Sequence, residues 1–191
     1  MEKRIGVSYN SKNKEQLNKI ESILSSIGIK IIRYETHLNV KDDIYQFMNA
    51  MMEMDINLLL LSKEYFDSPF CIYELSRLVE QPDKTIVIYL EEDIPIEELI
   101  TNVQKKLKIN YKNQLPWLSR ELEKINITDL MDLFLAMLSE RYLSFNEIIF
   151  SNGVRQLLTY LNYIPDSYIS ELDEILKKRI FMKGKNVLLN I

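Results

Sequence analysis

A chain of 191 residues with net charge −4 and 27% charged residues has room for one domain of about 150 residues and an appendage, or for one enlarged domain. No basic excess favours nucleic acid as a partner. The single cysteine rules out an intrachain disulfide and suits a reducing cytoplasm. Met1-Glu2-Lys3-Arg4 leads straight into a strand, without a signal-peptide pattern. No apolar run approaches the roughly 20 residues of a membrane span. Heavy use of Ile, Lys and Asn gives the chain a bacterial look.

The first strand is predicted over Arg4–Tyr9, ending in the polar turn Ser8-Tyr9-Asn10-Ser11, which can cap the next helix. In that helix Leu17, Ile20, Leu24 and Ile27 fall at i, i+3, i+7 and i+10, and Gly28 is its stop. Ile29–Tyr34 reads as a second strand and Glu35–Asp43 as a polar loop. A short helix carrying Ile44, Phe47, Met48 and Met51 follows, its methionines read as core filler. Ile56–Leu61 is apolar on both faces, as a central parallel strand must be.

Ser68 is a good helix N-cap, and Pro69 fits the first helical position, where its missing N–H costs nothing. Cys71, Leu75 and Leu78 then make a core stripe, with Phe70, Glu74 and Arg77 beside it on the same spacing. A carboxylate thus stands one turn from an aromatic ring at the edge of the buried face. By spacing alone, the plainer reading of Glu74 is an i,i+3 surface pair with Arg77. Cys71 reads as a small buried residue rather than a nucleophile, and His37, the one histidine, as an exposed loop residue.

Thr85–Leu90 is a fourth buried strand, and a fifth is expected near Leu107–Tyr111. Strands alternating with helices over short connections predict an α/β fold, a doubly wound, mostly parallel, flavodoxin-like sheet. From Trp117 the pattern turns helical, over Ile127–Tyr142, Phe145–Tyr163 and, after Pro165, Ser167–Phe181. The domain is therefore assigned to residues 1–144 and a helical extension to 145–191. The Lys177-Lys178-Arg179 run reads as a solvated helix end that an acidic partner could use.

Ser68-Pro69-Phe70-Cys71-Ile72-Tyr73-Glu74-Leu75 after a buried strand resembles the S-P-[WF]-C-x-x-E-L signature of TIR (Toll/interleukin-1 receptor) domains. Phe70 stands where that family usually has Trp. Val7-Ser8-Tyr9 resembles its first box, Gly28–Ile32 the approach to its second loop, and Leu58–Ser62 its third strand. The second loop departs from the pattern at Tyr34 or Glu35 and at Val40-Lys41. The resemblance implies a TIR fold and, in the enzymatic members, Glu74 as catalytic residue for cleaving NAD. It implies NAD as substrate rather than cofactor, and self-association through TIR–TIR contacts or a partner bound by the helical tail. Antiphage defence or signalling is the setting it suggests.

Ligands of doubly wound sheets bind beyond the carboxyl ends of the strands. There the turn Ser8, Tyr9, Asn10 and Ser11, the Thr36–Lys41 loop with Leu38, and Phe70, Cys71 and Glu74 should meet as a substrate crevice. No metal ligands are expected, and no Gly-rich phosphate loop is present. One carboxylate suffices for this reaction, because the nicotinamide of oxidised NAD is already cationic and leaves neutral. An ionised Glu74 would orient the ribose and stabilise its growing positive charge. Two other readings stay open: a non-catalytic TIR adaptor, and an enzyme like the nucleoside deoxyribosyltransferases, which also use a glutamate on a similar fold. A phosphoacceptor receiver is set aside, since Ser8–Ser11 and Leu61-Ser62 stand where its acids would be.

Overall fold

The computed structural model describes residues 3–33, 44–91, 101, 116–138, 142–149 and 152–161. Chain contacts divide into two compact units, Met1–Tyr142 and Leu143–Ile191. The first is built on a sheet in which the strands run β2-β1-β3-β4, with β1 at Ile5–Ser8, β2 at Ile31–Ile32, β3 at Ile56–Leu61 and β4 at Thr85–Tyr89, and a short strand β5 (Tyr142–Ser144) begins at the unit's last residue. The pairs β1–β2, β1–β3 and β3–β4 are parallel. Every residue of β3 is buried, which is why its sequence carries no polar alternation. Its register sets Val7 against Leu58 and Ser8 against Leu59 on one side, and Leu58 against Ile86 on the other.

The helices between strands are α1 (Lys14–Ser26), α2 (Ile44–Met51) and α3 (Pro69–Leu78). α1 buries Leu17, Ile20 and Leu24 and stops where expected. Gly28 takes φ +85°, its N–H bonds the Ser25 carbonyl at 3.1 Å, and the Ile29 N–H bonds that of Leu24 at 3.0 Å. This is a Schellman ending, in which glycine escapes the Cβ clash of the left-handed region. It also corrects the second strand. The Ile29 amide is spent on the helix cap, so pairing begins only at Ile31, and Tyr34 lies outside the described residues.

After β4 the unit continues in α4 (Pro116–Glu123) and α5 (Ile127–Leu138). α3 is held from two sides. Its Cys71, Leu75 and Leu78 pack with Leu59 and Leu61 of β3, Val87 of β4, and Leu130, Phe134 and Met137 of α5. Its Ile72 and Tyr73 pack with Met48 of α2 and Leu118 and Leu122 of α4. Phe66 and Phe134 meet edge to face at 5.8 Å within the larger cluster, a geometry that adds to area burial. α3 is thereby a fixed rod, and the side chains at its edge inherit that rigidity.

Two helical expectations need correction. The helix expected over Ile127–Tyr142 is α5 to Leu138, and Tyr142 instead opens β5, its ring edge-on to Tyr89 at 6.0 Å. An aromatic at a sheet edge has a packing reason to be extended that helical spacing does not reveal. The helix expected over Phe145–Tyr163 is two, α6 (Phe145–Ile149) and α7 (Asn152–Tyr160). A Cβ on Gly153 would lie 2.5 Å from the Ile148 nitrogen and 2.6 Å from the Glu147 carbonyl carbon. Only glycine permits so close an approach. The strand expected near Leu107–Tyr111 and the helix expected over Ser167–Phe181 lie outside the described residues. Among the described residues no helix is long and apolar enough to cross a membrane.

Candidate functional site at the switch point of the sheet

From β1 the strand order runs outward to β2 on one side and to β3 and β4 on the other. The crevice of such a sheet opens where the order reverses, at the carboxyl ends of β1 and β3. Ser8 ends β1 and Leu61 ends β3, and the segments leaving these two strands are stitched together. The Asn10 amide donates to the Glu64 carbonyl at 2.6 Å while its oxygen accepts from the Lys12 N–H at 3.0 Å. The Ser62 hydroxyl donates to Asn13 Oδ1 at 2.7 Å and accepts from the Tyr65 N–H at 3.2 Å, capping the short turn Lys63–Asp67. α3 then starts as its sequence prescribes. Ser68 caps it, accepting from the Cys71 N–H at 3.3 Å, with Pro69 in the first turn.

These elements enclose a cavity of about 420 Å³. Of the residues expected there, it brings together Tyr9, Asn10, Ser11, Phe70, Cys71 and Glu74. Ser8 does not line it. Only 1% exposed, Ser8 stands behind the carboxyl, donating from Oγ to Glu74 Oε2 and sharing a 2.7 Å hydrogen bond with the Tyr65 hydroxyl. Leu38 lies outside the described residues, as do His37 and the rest of its loop. Ser68, at the helix start expected there, also lines it, and Lys12, Met48 and Asp67 join the lining without having been singled out for it. Met48 and Ser68 had been assigned to core and cap, and both also border the cavity. Tyr65 was missed as well, because no local spacing connects it to Ser8.

Glu74 does not pair with Arg77 as its spacing suggested. Arg77 Nη1 instead meets Glu80 Oε2 at 3.3 Å, and the Glu74 carboxyl turns inward to Ser8. Burial pushes that carboxyl from its ordinary 4.5 up to about 7, while the Ser8 hydrogen bond pulls the other way. The ionised form expected of Glu74 is therefore the minor one below about 7 and the major one above it. A carboxyl poised there can serve as acid or as base under ordinary conditions.

Cys71 is buried, and burial, then the nearby Glu74, hold its thiol far above the ordinary range. Its Sγ–H donates to the Tyr9 carbonyl at 3.6 Å. It is a packing and positioning residue rather than a thiolate. The Phe70 ring lies 6.3 Å from the Trp117 ring, and Phe70 borders the cavity. Among the described residues no cluster of His, Cys, Asp and Glu could hold a metal.

A second cavity, of about 470 Å³, opens between α3, α4 and α5 and includes Arg77, Glu80, Glu121 and Lys124. Four of its charges form two pairs, Arg77 with Glu80 and Lys124 with Glu121 at 2.7 Å. These are partly solvated surface pairs of small worth. The smaller cavity, with a buried polar network behind an inward-facing carboxyl, is the better candidate.

Fold and site together define an α/β protein whose crevice at the sheet's switch point is lined by an inward-turned glutamate, Glu74, with Asp67 also on its wall. A family model described as TIR domain matches residues 5–125, and the chain belongs to the TIR-domain family. Among solved structures it is similar to the TIR domains of the activated Roq1 resistosome directly recognizing the pathogen effector XopQ. That likeness has a TM-score of 0.59 at 13% identity, covering 84% of this chain and 98% of that one. No curated protein matches.

Proposed function

We propose that this chain cleaves the nicotinamide–ribose bond of NAD, as a TIR-type glycohydrolase or ADP-ribosyl cyclase, in bacterial antiphage defence or signalling. The observation that carries the reading is Glu74, inward-facing on the S-P-F-C-x-x-E-L helix and lining the cavity at the switch point. Membership of the TIR-domain family supports it.

In this reading the cationic nicotinamide leaves neutral with the bonding electron pair, so no general acid is required. The ionised Glu74 faces the ribose and stabilises the positive charge that grows on it. Tyr9, Asn10, Ser11 and Phe70 form the substrate wall, with Phe70 offering a stacking face. Water adding to the ribose carbon gives ADP-ribose, and an adenine nitrogen adding to it gives the cyclic product. Only the ionised carboxylate works, so the rate rises as pH passes through about 7. The relative in the solved structure belongs to an activated resistosome. In line with that, self-association through TIR–TIR contacts, or a partner held by residues 145–191, is proposed as the trigger in the cytoplasm.

The test is incubation of concentrated protein with NAD, with and without a crowding agent, followed by product separation, beside Glu74→Gln. Nicotinamide release that disappears in the variant is expected. Equal release from a folded variant removes Glu74 from the chemistry, and no release from wild type under any condition turns the reading to a non-catalytic adaptor.

A further inference from the structure

We propose that Tyr65 and Ser8 form a buried, one-directional hydrogen-bond relay that orients the Glu74 carboxylate, making both of them positioning residues for whatever Glu74 does. The role assigned to Glu74 rests on the function proposed above; the relay rests on geometry.

Tyr65 is fully buried and Ser8 is 1% exposed, so neither reaches the cavity. Both act through Glu74 or not at all. The three oxygens lie in series. The Tyr65 hydroxyl is 2.7 Å from Ser8 Oγ, and Ser8 Oγ contacts Glu74 Oε2. Each hydroxyl has one proton to give. An ionised Glu74 can only accept, so Ser8 must spend its proton on the carboxylate, and the Tyr65 proton then points at Ser8 Oγ. One polarity results: Tyr65 to Ser8 to Glu74. Burial, then Cys71 and Glu74 close by, hold the Tyr65 phenol well above its ordinary 10, so it keeps its proton throughout. Hydrogen bonds in such a chain strengthen one another in a low-dielectric interior.

Each member arrives from a different element, and each is fixed independently. Ser8 is locked in β1 by its register against Leu59. Tyr65 is held by the Ser62 cap on its amide and by Phe66, edge-on at 5.7 Å. Glu74 rides on α3, packed on both flanks. The carboxylate therefore has one oxygen fixed by the relay, leaving the other for the cavity. Among the described residues, the other titratable or charged groups lining the cavity beside it are Tyr9 and Lys12 after β1, Asp67 before α3, and Cys71 on α3 itself; α2 contributes Met48, which is apolar. Removing the relay should leave these unchanged.

The test follows the Glu74 carboxyl directly, by carbon NMR of protein labelled at glutamate carboxyls and assigned by loss of the signal in Glu74→Gln. Wild type, Tyr65→Phe and Ser8→Ala are titrated, with thermal melts to establish folding. Ser8→Ala should raise the midpoint by about one pH unit or more, the worth of a hydrogen bond to a charged group. Tyr65→Phe should raise it by a few tenths, as expected for loss of a cooperative second link. The pH profile of nicotinamide release should move in the same order. Coincident carboxyl titrations in the three proteins overturn the relay, even if NAD is cleaved. Ordered shifts in a protein that releases no nicotinamide uphold the relay and discard the NAD reading alone. Should Ser8→Ala fail to fold, Tyr65→Phe, which removes one oxygen and no volume elsewhere, decides the matter by itself.

Discussion

Replacing Glu74 by Gln should stabilise the protein, and by an amount that depends on pH. The carboxyl titrates near 7 in the folded chain against an ordinary 4.5. Between those values the folded chain holds a proton that the unfolded chain has released. Stability therefore falls as pH rises through this window, and the favourable contribution, full below about 4.5, is gone above about 7. Each pH unit of separation is worth about 1.4 kcal/mol, so from pH 5 to pH 8 wild type should lose roughly 2.5 kcal/mol relative to Glu74→Gln. Glutamine keeps an oxygen for the Ser8 hydroxyl and carries no charge to desolvate. All other titrating groups are shared by the two proteins, so subtracting their urea unfolding free energies at each pH isolates this one carboxyl. A difference that stays constant within about 0.5 kcal/mol from pH 5 to pH 8 would refute the claim that Glu74 is held out of solvent. The same result bears on activity. A Gln variant that is more stable at pH 8 yet releases no nicotinamide has lost chemistry, not fold.

Two further outcomes are expected. Cys71, buried with its thiol held protonated, should resist iodoacetamide at pH 8 in the native protein and react once urea unfolds it; rapid native labelling would contradict its packing. Gly6→Ala should lower stability by about 1–3 kcal/mol, read as a drop in Tm, because a Cβ there would stand 2.7 Å from Asn57 Oδ1 and 3.0 Å from Met54 Cγ. An unchanged Tm would mean that this interior yields more readily than its packing implies.

Features that depend on neighbouring residues were legible in the sequence. Gly28 ends α1 because a left-handed φ is a local demand, and Ser68-Pro69 begins α3 because caps act within one turn. Ile56–Leu61 announced itself as the central strand because burial on both faces leaves no room for alternation. Relations across elements were not legible. Spacing offered Arg77 as the partner of Glu74, whereas the register of β1 against β3 delivers Ser8, and the cap at Ser62 delivers Tyr65 behind it. The titration of Glu74 was equally hidden, since desolvation is a property of the assembled crevice. Helical spacing carries the preceding helix on to Tyr142, the first residue of β5, because the contact with Tyr89 that favours extension lies more than fifty residues away in the chain. Thus the place of Glu74 at the edge of the buried helix face could be read from sequence, while the residues that hold it could not.

The burial of β3 on both faces and both edges also has a consequence during synthesis. Its run Ile-Asn-Leu-Leu-Leu-Leu is complete at Leu61, whereas the partner that covers one edge, β4, ends only at Tyr89. At about 5–20 residues per second the ribosome needs roughly one to six seconds to add that partner. For those seconds the nascent chain carries an apolar strand with a bare edge, the kind of segment that pairs with other chains. Newly made protein is thus exposed to aggregation at a point that the finished fold conceals completely, and slow translation between residues 61 and 89 would lengthen that exposure.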